Sequence, residues 1–108
     1  RLEIRELTVL KKDGSKRPFD REKIVHALSL ALRKRSFSSD QIEQLVDNIV
    51  SQLEQSGETE ISTKTIGEKI MEELAKIDQV AYVRFASVYH DFSEINDFKS
   101  FLSKLGKK

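Results

Sequence analysis

The sequence predicts an α+β fold, a small two- or three-stranded β-sheet or hairpin packed on a four- to five-helix bundle. Three observations predict it. The N-terminal end is rich in β-formers and alternates in part, with Leu2 and Ile4 followed by Leu7 and Val9. Further along, four segments carry apolar residues at helical spacing, each preceded by a capping residue. With 108 residues, 38% of them apolar and 34% charged, the chain can build one modest core with a charged exterior.

Leu2 to Lys11 reads as the first strand, and Asp13-Gly14-Ser15 as a turn. Lys16 to Phe19 returns as a short strand, with Pro18 placing it near an edge. Asp20 is an N-cap for a first helix over about Arg21 to Arg35, with Ile24, Leu28, Ala31 and Leu32 as its apolar stripe. Ser38 and Gln41 form a capping box for a second helix, about Asp40 to Gln55, which carries Ile42, Leu45, Val46, Ile49 and Leu53 and ends at Gly57. Glu60-Ile61-Ser62 is a candidate third strand. A third helix starts near Ser62 or Thr63 and carries Ile66, Ile70 and Leu74. Asp78 caps a fourth, Gln79 to Tyr89. Its Val80, Ala81, Val83, Phe85, Ala86 and Val88 surround most of its sides, which predicts a helix central to the domain. Asp91 and Glu94 suggest the cap of a fifth helix reaching about Leu105, followed by a frayed end.

Composition excludes several functions. A net charge of +1 rules out a polycation, so any affinity for DNA must come from a local patch. No cysteine is present, hence no disulfide and no thiolate zinc site in this sequence. No apolar run can span a bilayer and no signal peptide is visible, so the expectation is a cytoplasmic protein without a membrane partner. The first residue is Arg1, and the sequence reads as a fragment of something longer. His26 and His90 sit on different predicted helices without convergent ligands, which argues against a protein metal site. There is no Gly-x-x-x-x-Gly-Lys-Ser/Thr loop, no Ser/His/Asp arrangement and no conspicuous carboxylate dyad, so the expectation is that the chain is not an enzyme.

The densest chemistry lies in Val9 to Ile24, V-L-K-K-D-G-S-K-R-P-F-D-R-E-K-I. Lys11, Lys12, Lys16, Arg17, Arg21 and Lys23 crowd into a hairpin that runs straight into a helix. Cations beside a helix N-terminus suit polyphosphate. Lys11, Lys12 and Lys23 can neutralise phosphates as compact charges on flexible stems. Val9, Phe19 and Ile24 offer an apolar wall for the adenine, with ordinary core burial the favoured account of Phe19 and Ile24 on their chemistry alone. Asp20 can cap the helix or accept a hydrogen bond from a ribose hydroxyl.

The order of hydrophobic strand, K-K-D-G, polar turn, P-F-D-x-x-K-I and helix resembles the ATP-cone family, a regulatory module that binds adenine nucleotides. A second match, V-A-Y-V-R-F-A-S-V-Y-H-D-F from Val80 to Phe92, looks like the last core helix of the same family. The resemblance covers roughly Leu7 to Phe92. It implies that Val9, Lys11, Lys12, Lys23 and Ile24 line a nucleotide and that Thr63 and Ile66 close the pocket. It also makes Tyr82 and Arg84 candidates for further phosphate or second-nucleotide contacts. Their alternative readings are a helix-packing tyrosine and a surface or ion-paired arginine. Many relatives carry Glu where this chain has Arg17, in a pattern like R-E-P-F. Arg17 either adds a phosphate contact or points to solvent.

The flanks are similar to those of a bacterial transcriptional repressor of ribonucleotide reductase genes. On that likeness, residues 1–6 are the remnant of a linker following a zinc ribbon, 7–92 are the cone, and 93–108 are a C-terminal helix and tail. The resemblance implies ATP or dATP as effector, with any Mg2+ held mainly by phosphate oxygens, and zinc only in the ribbon. It implies a homo-oligomer whose assembly responds to the nucleotide, and operator DNA as a partner through the ribbon. Tyr89, Phe92, Phe98 and Phe101 are candidate subunit contacts, with core burial the competing account of each. Two alternatives stand beside this reading: the N-terminal cone of a ribonucleotide reductase large subunit, and a nucleic-acid-binding module using the basic patch. Against the second, Asp13, Asp20 and Glu22 dilute the charge.

Overall fold

The β-formers Thr8-Val9-Leu10 make the central strand of a three-stranded sheet in the computed structural model, which describes residues 7–89. β1 (Thr8–Leu10) pairs antiparallel with β2 (Lys16–Pro18) and parallel with β3 (Glu60–Ser62), giving the order β2-β1-β3. Val9 stands opposite Arg17 on one side and Ile61 on the other. Pro18, which has no N–H to donate, sits on the edge strand β2 as its chemistry requires. The turn is fastened by Asp13, whose Oδ1 accepts from the Ser15 N–H at 2.9 Å and the Ser15 hydroxyl at 2.6 Å. Gly14 takes a φ of 89°, the left-handed region that costs glycine least.

Four helices follow: α1 (Arg21–Ala31), α2 (Ser39–Gln55), α3 (Thr63–Ile77) and α4 (Gln79–Tyr89). The caps read from sequence are in place. Asp20 accepts from the Glu22 N–H at 3.0 Å. Ser38 and Gln41 close a reciprocal capping box, at 3.1 and 2.8 Å. Asp78 accepts from the Ala81 N–H at 2.9 Å. Ser62 ends β3 and caps α3 in the same residue, accepting from the Thr65 N–H at 3.1 Å, so the sheet feeds α3 without a linker.

α1 packs on α2 and α4, and α3 packs on the same two, so the helices close a ring. Leu28, Val46, Ile49 and Leu74 are fully buried at its centre, with Leu7 and Ile61 joining from the sheet. Glu73 is the one charged residue buried as a whole among the described residues, 6% exposed. The Gln52 amide at 3.3 Å and the Lys76 ammonium at 3.2 Å donate to its carboxylate, supplying the partners that burial demands.

Three sequence expectations change. α1 ends at Ala31, not near Arg35. Leu32 is its C-cap, Lys34 turns into the left-handed region at φ 61°, and the Arg84 guanidinium donates to the Ala31 and Arg33 carbonyls at 3.1 and 2.6 Å. Those bonds from another helix occupy carbonyls at the end of α1 and just beyond it. α4 is not central. Only Ala81 and Ala86 are fully buried on it, while Val80 and Val88 are 41% and 79% exposed. The strands are also shorter, three residues each, although the Lys11 N–H donates to the Ser15 carbonyl and the Phe19 N–H to the Leu7 carbonyl, both at 2.9 Å, one step beyond each end of the β1–β2 ladder. The expected strand start at Leu2, the linker over 1–6, the fifth helix and the aromatic positions 92, 98 and 101 lie outside the described residues. Among the described residues, no helix is long and apolar enough to cross a membrane.

Candidate functional site

The β1–β2 hairpin delivers the chain to the N-terminus of α1, and β3 delivers it to the N-terminus of α3. The registers set Pro18 beside Thr8 and Ser62 beside Leu10, so the chain leaves for α1 and for α3 at opposite ends of the short β1, and residues of both helix starts line one cavity. Between them and the C-terminal half of α4 lies a cavity of about 400 Å³. Its size falls within the usual range for small-ligand sites, roughly 300–1,000 Å³.

Ten of the twelve site residues read from the sequence line this cavity: Val9, Lys11, Lys12, Arg17, Phe19, Asp20, Lys23, Ile24, Thr63 and Ile66. Its two sides differ in chemistry. Lys11, Lys12, Arg17 and Lys23 are exposed, and none forms an ion pair among the described residues. The other two cations of the cluster are committed elsewhere. Lys16 reaches Glu60 across β1 at 2.9 Å, and Arg21 binds Glu43 at 2.9 Å and Asp47 at 2.6 Å on α2. These contacts hold the ammonium of Lys16 and the guanidinium of Arg21 above their ordinary pKa, chiefly through the hydrogen bonds to Glu60 and Asp47. The cations left over are those at the cavity. The N-terminal ends of both helix dipoles add positive potential there, although the Glu22 and Thr65 N–H groups are already bound by their caps.

The opposite wall is apolar. Ile24 and Ile70 are buried beneath it, Ile66 and Phe19 are half-buried, and Phe85 and Tyr89 of α4 complete it. Phe85 and Tyr89, one helical turn apart, stack with ring centroids 5.7 Å apart and planes at 14°. The Tyr89 hydroxyl donates to the Lys64 carbonyl at 3.1 Å. Burial, with Glu68 nearby, raises its phenol above the ordinary value, so it remains a neutral donor. Of the two readings given for Tyr89, a subunit contact or core burial, its half-buried place in this wall favours burial.

Tyr82 and Arg84 are not brought to the cavity. Tyr82 lines an adjoining open groove with Lys64, Glu68 and Glu72, and Lys12 and Tyr89 line both the groove and the cavity. Arg84 is turned toward α1, where it binds carbonyl oxygens and not a carboxylate. Sequence reasoning missed Pro18, Ala27, Gly67, Ile70, Phe85 and Tyr89 as lining residues. Gly67 carried a usable signal, because glycine inside a helix costs stability and therefore marks a close approach. A Cβ there would overlap the Tyr89 ring, 2.6 Å from Cζ and 2.8 Å from Cδ1. Among the described residues, no group of three or more His, Cys, Asp or Glu side chains is arranged to hold a metal ion.

Residues 7–95 match the family described as the ATP cone domain. The chain belongs to the ATP-cone family. The cone also has longer relatives in bacteria. It is 53% identical over 105 residues to the transcriptional repressor NrdR of Rhodospirillum centenum, covering 97% of this chain and 68% of that protein. To the transcriptional repressor NrdR of Allorhizobium ampelinum it is 53% identical over 108 residues, covering 100% and 68%. To that of Phenylobacterium zucineum it is 50% identical over 106 residues, covering 98% and 68%. The chain therefore spans about two thirds of the length of these relatives, which are transcriptional repressors by name.

Proposed function

We propose that the cavity binds ATP and dATP, and that the bound nucleotide sets the assembly state of a transcriptional repressor of ribonucleotide reductase genes. The observation that carries this is the juxtaposition of four unpaired cations with an apolar wall across one cavity at two helix starts. Triphosphate needs the first and a purine needs the second. Lys11, Lys12 and Lys23 take the phosphates, and Arg17 joins them, which answers the charge reversal at that position. The base lies against Val9, Ile24 and Ile66. Among the described residues, Asp20 is the one carboxylate lining the cavity, and it already caps α1. A Mg2+ entering with the nucleotide is therefore held mainly by phosphate oxygens. Zinc has no thiolate ligand in this chain and belongs to a ribbon of the repressor.

ATP and dATP differ by one hydroxyl, and the cavity offers the Asp20 carboxylate and the Thr63 hydroxyl as groups able to sense it. The nucleotide acts only through its differential affinity for two arrangements of protomers. Those arrangements space the DNA-binding ribbons correctly or incorrectly for an operator in the bacterial cytoplasm.

Calorimetry tests the binding. Both nucleotides are expected to bind saturably without turnover. Lys11→Ala and Lys23→Ala should each weaken binding by about 1.5–3 kcal/mol, the worth of a hydrogen bond to a charged group. Unchanged affinity in both variants, or phosphate release that depends on the cavity, contradicts the reading.

A further inference from the structure

At the far end of α1 from the nucleotide cavity lies a second cationic surface, Arg33-Lys34-Arg35. We propose that this loop is a contact for the phosphodiester backbone of duplex DNA, independent of base sequence. The partner class rests on the repressor reading above. The surface itself rests on its own observations.

Among the described residues, Arg33 and Lys34 stand apart from the other lysines and arginines. Each of the others is engaged in one of four ways. Lys16, Arg21, Arg35, Lys69 and Lys76 pair with carboxylates. Arg84 binds carbonyls. Lys11, Lys12, Arg17 and Lys23 line the cavity, and Lys64 lines the groove beside it. Arg33 and Lys34 are exposed, bind no carboxylate or carbonyl of the described residues through their side chains, and line a different groove, away from the nucleotide cavity.

The loop that carries them is held from both sides. Arg84 of α4 grips the Arg33 carbonyl at 2.6 Å, and Arg35 places its Nε 2.9 and 3.1 Å from the two Asp78 oxygens at the start of α4. Leu32 is buried under it, and the Arg35 N–H donates to the Leu32 carbonyl at 2.9 Å. Lys34 keeps a full side chain at φ 61°, where glycine would sit more easily. The two free cations are thus presented on a fixed turn. They open on a groove of about 400 Å³, where the Ser29 and Ser39 hydroxyls supply further donors and Glu43 is already engaged by Arg21.

Fixed surface cations with hydroxyls beside them suit a phosphate backbone, where contacts position a protein without reading sequence. α1 is 11 residues long, so the two cationic surfaces are separated by roughly 16 Å of helix, and nucleotide and DNA can be held at once.

The test is binding of a mixed-sequence DNA duplex to this chain by fluorescence anisotropy across a salt series. The parent, Arg33→Ala/Lys34→Ala, and the charge-preserving Arg33→Lys/Lys34→Arg are compared. Two lost phosphate contacts should reduce the slope of log K against log salt by about 1.8 for the alanine pair and leave it intact for the swapped pair. ATP titrations run on the same proteins should give equal affinities. An unchanged slope in the alanine pair overturns the proposal, as does a loss found only on replacing Lys11 and Lys12. No DNA binding at the lowest salt, or displacement by polyglutamate as effective as by DNA, overturns it too. A reduced slope without any ATP binding leaves this surface standing and removes the nucleotide reading. Normal ATP binding with an unchanged slope does the reverse.

Discussion

Gly67 has its neighbour across the helix interface, the Tyr89 ring, and the two fix one wall of the cavity together. Gly67→Ala sets two effects against each other. Alanine inside a helix is favoured over glycine by about 1 kcal/mol. Overpacking against a ring tethered to Phe85 and to the Lys64 carbonyl costs about 1–3 kcal/mol. Overpacking outweighs the gain in helix propensity, and denaturant unfolding should show Gly67→Ala less stable than the parent by up to about 2 kcal/mol, the difference between the two. A stabilised variant would mean that Tyr89 does not rest on Gly67. At this scale the sequence was informative where charge and capping decide. Lys11, Lys12, Lys23 and Asp20 advertise themselves by type and order. It was silent where a partner distant in sequence decides. Nothing local to Phe85 or Tyr89 tells that they face α3, and nothing local to Lys16 tells that Glu60 claims it.

α4 shows how an element is held in place by its ends. Asp78 caps it through the Ala81 N–H and receives the Arg35 guanidinium, and these interactions hold its carboxyl below the ordinary value of 3.8. Asp78→Ala should cost about 0.5–2 kcal/mol, the usual worth of an N-cap. The sign of the pH effect follows from the lowered folded-state value. The stabilisation is fully present above the unfolded pKa and is lost as pH falls through the folded one. Asp78→Asn keeps a capping oxygen but removes the titration. Its unfolding free energy should lie below the parent's at about pH 6, where the carboxylate is ionised in both states, and meet it well below the ordinary value of 3.8. Parallel curves for the two proteins across that range would show that the Asp78 charge is not linked to folding. The helices themselves were legible because their stripes and caps agree, as in Ser38, Gln41 and the Ile42–Leu53 face. The end of α1 was not, because Arg84 binds there from another helix. The central position expected of α4 also failed. Apolar residues all round a helix do not reveal that Ala81 and Ala86 make its close contacts.

At the largest scale the described residues form a ring of helices with a cavity at one end, and on the function proposed above a bound nucleotide acts by changing surfaces. Val80 and Val88 of α4 and Leu30 of α1 are exposed apolar groups available for such contacts. Sedimentation should give different masses for nucleotide-free, ATP-bound and dATP-bound protein. One mass at every concentration would make this chain a passive binder. All of this depends on where the nucleotide sits, and the most direct measurement is a backbone amide NMR titration with ATP. The largest shifts should fall on residues 9–12, 17–24 and 63–67 and on Phe85 and Tyr89 of α4. Shifts centred on the Tyr82 groove or on the 33–35 loop, with the cavity unmoved, would contradict a nucleotide held between the two helix starts.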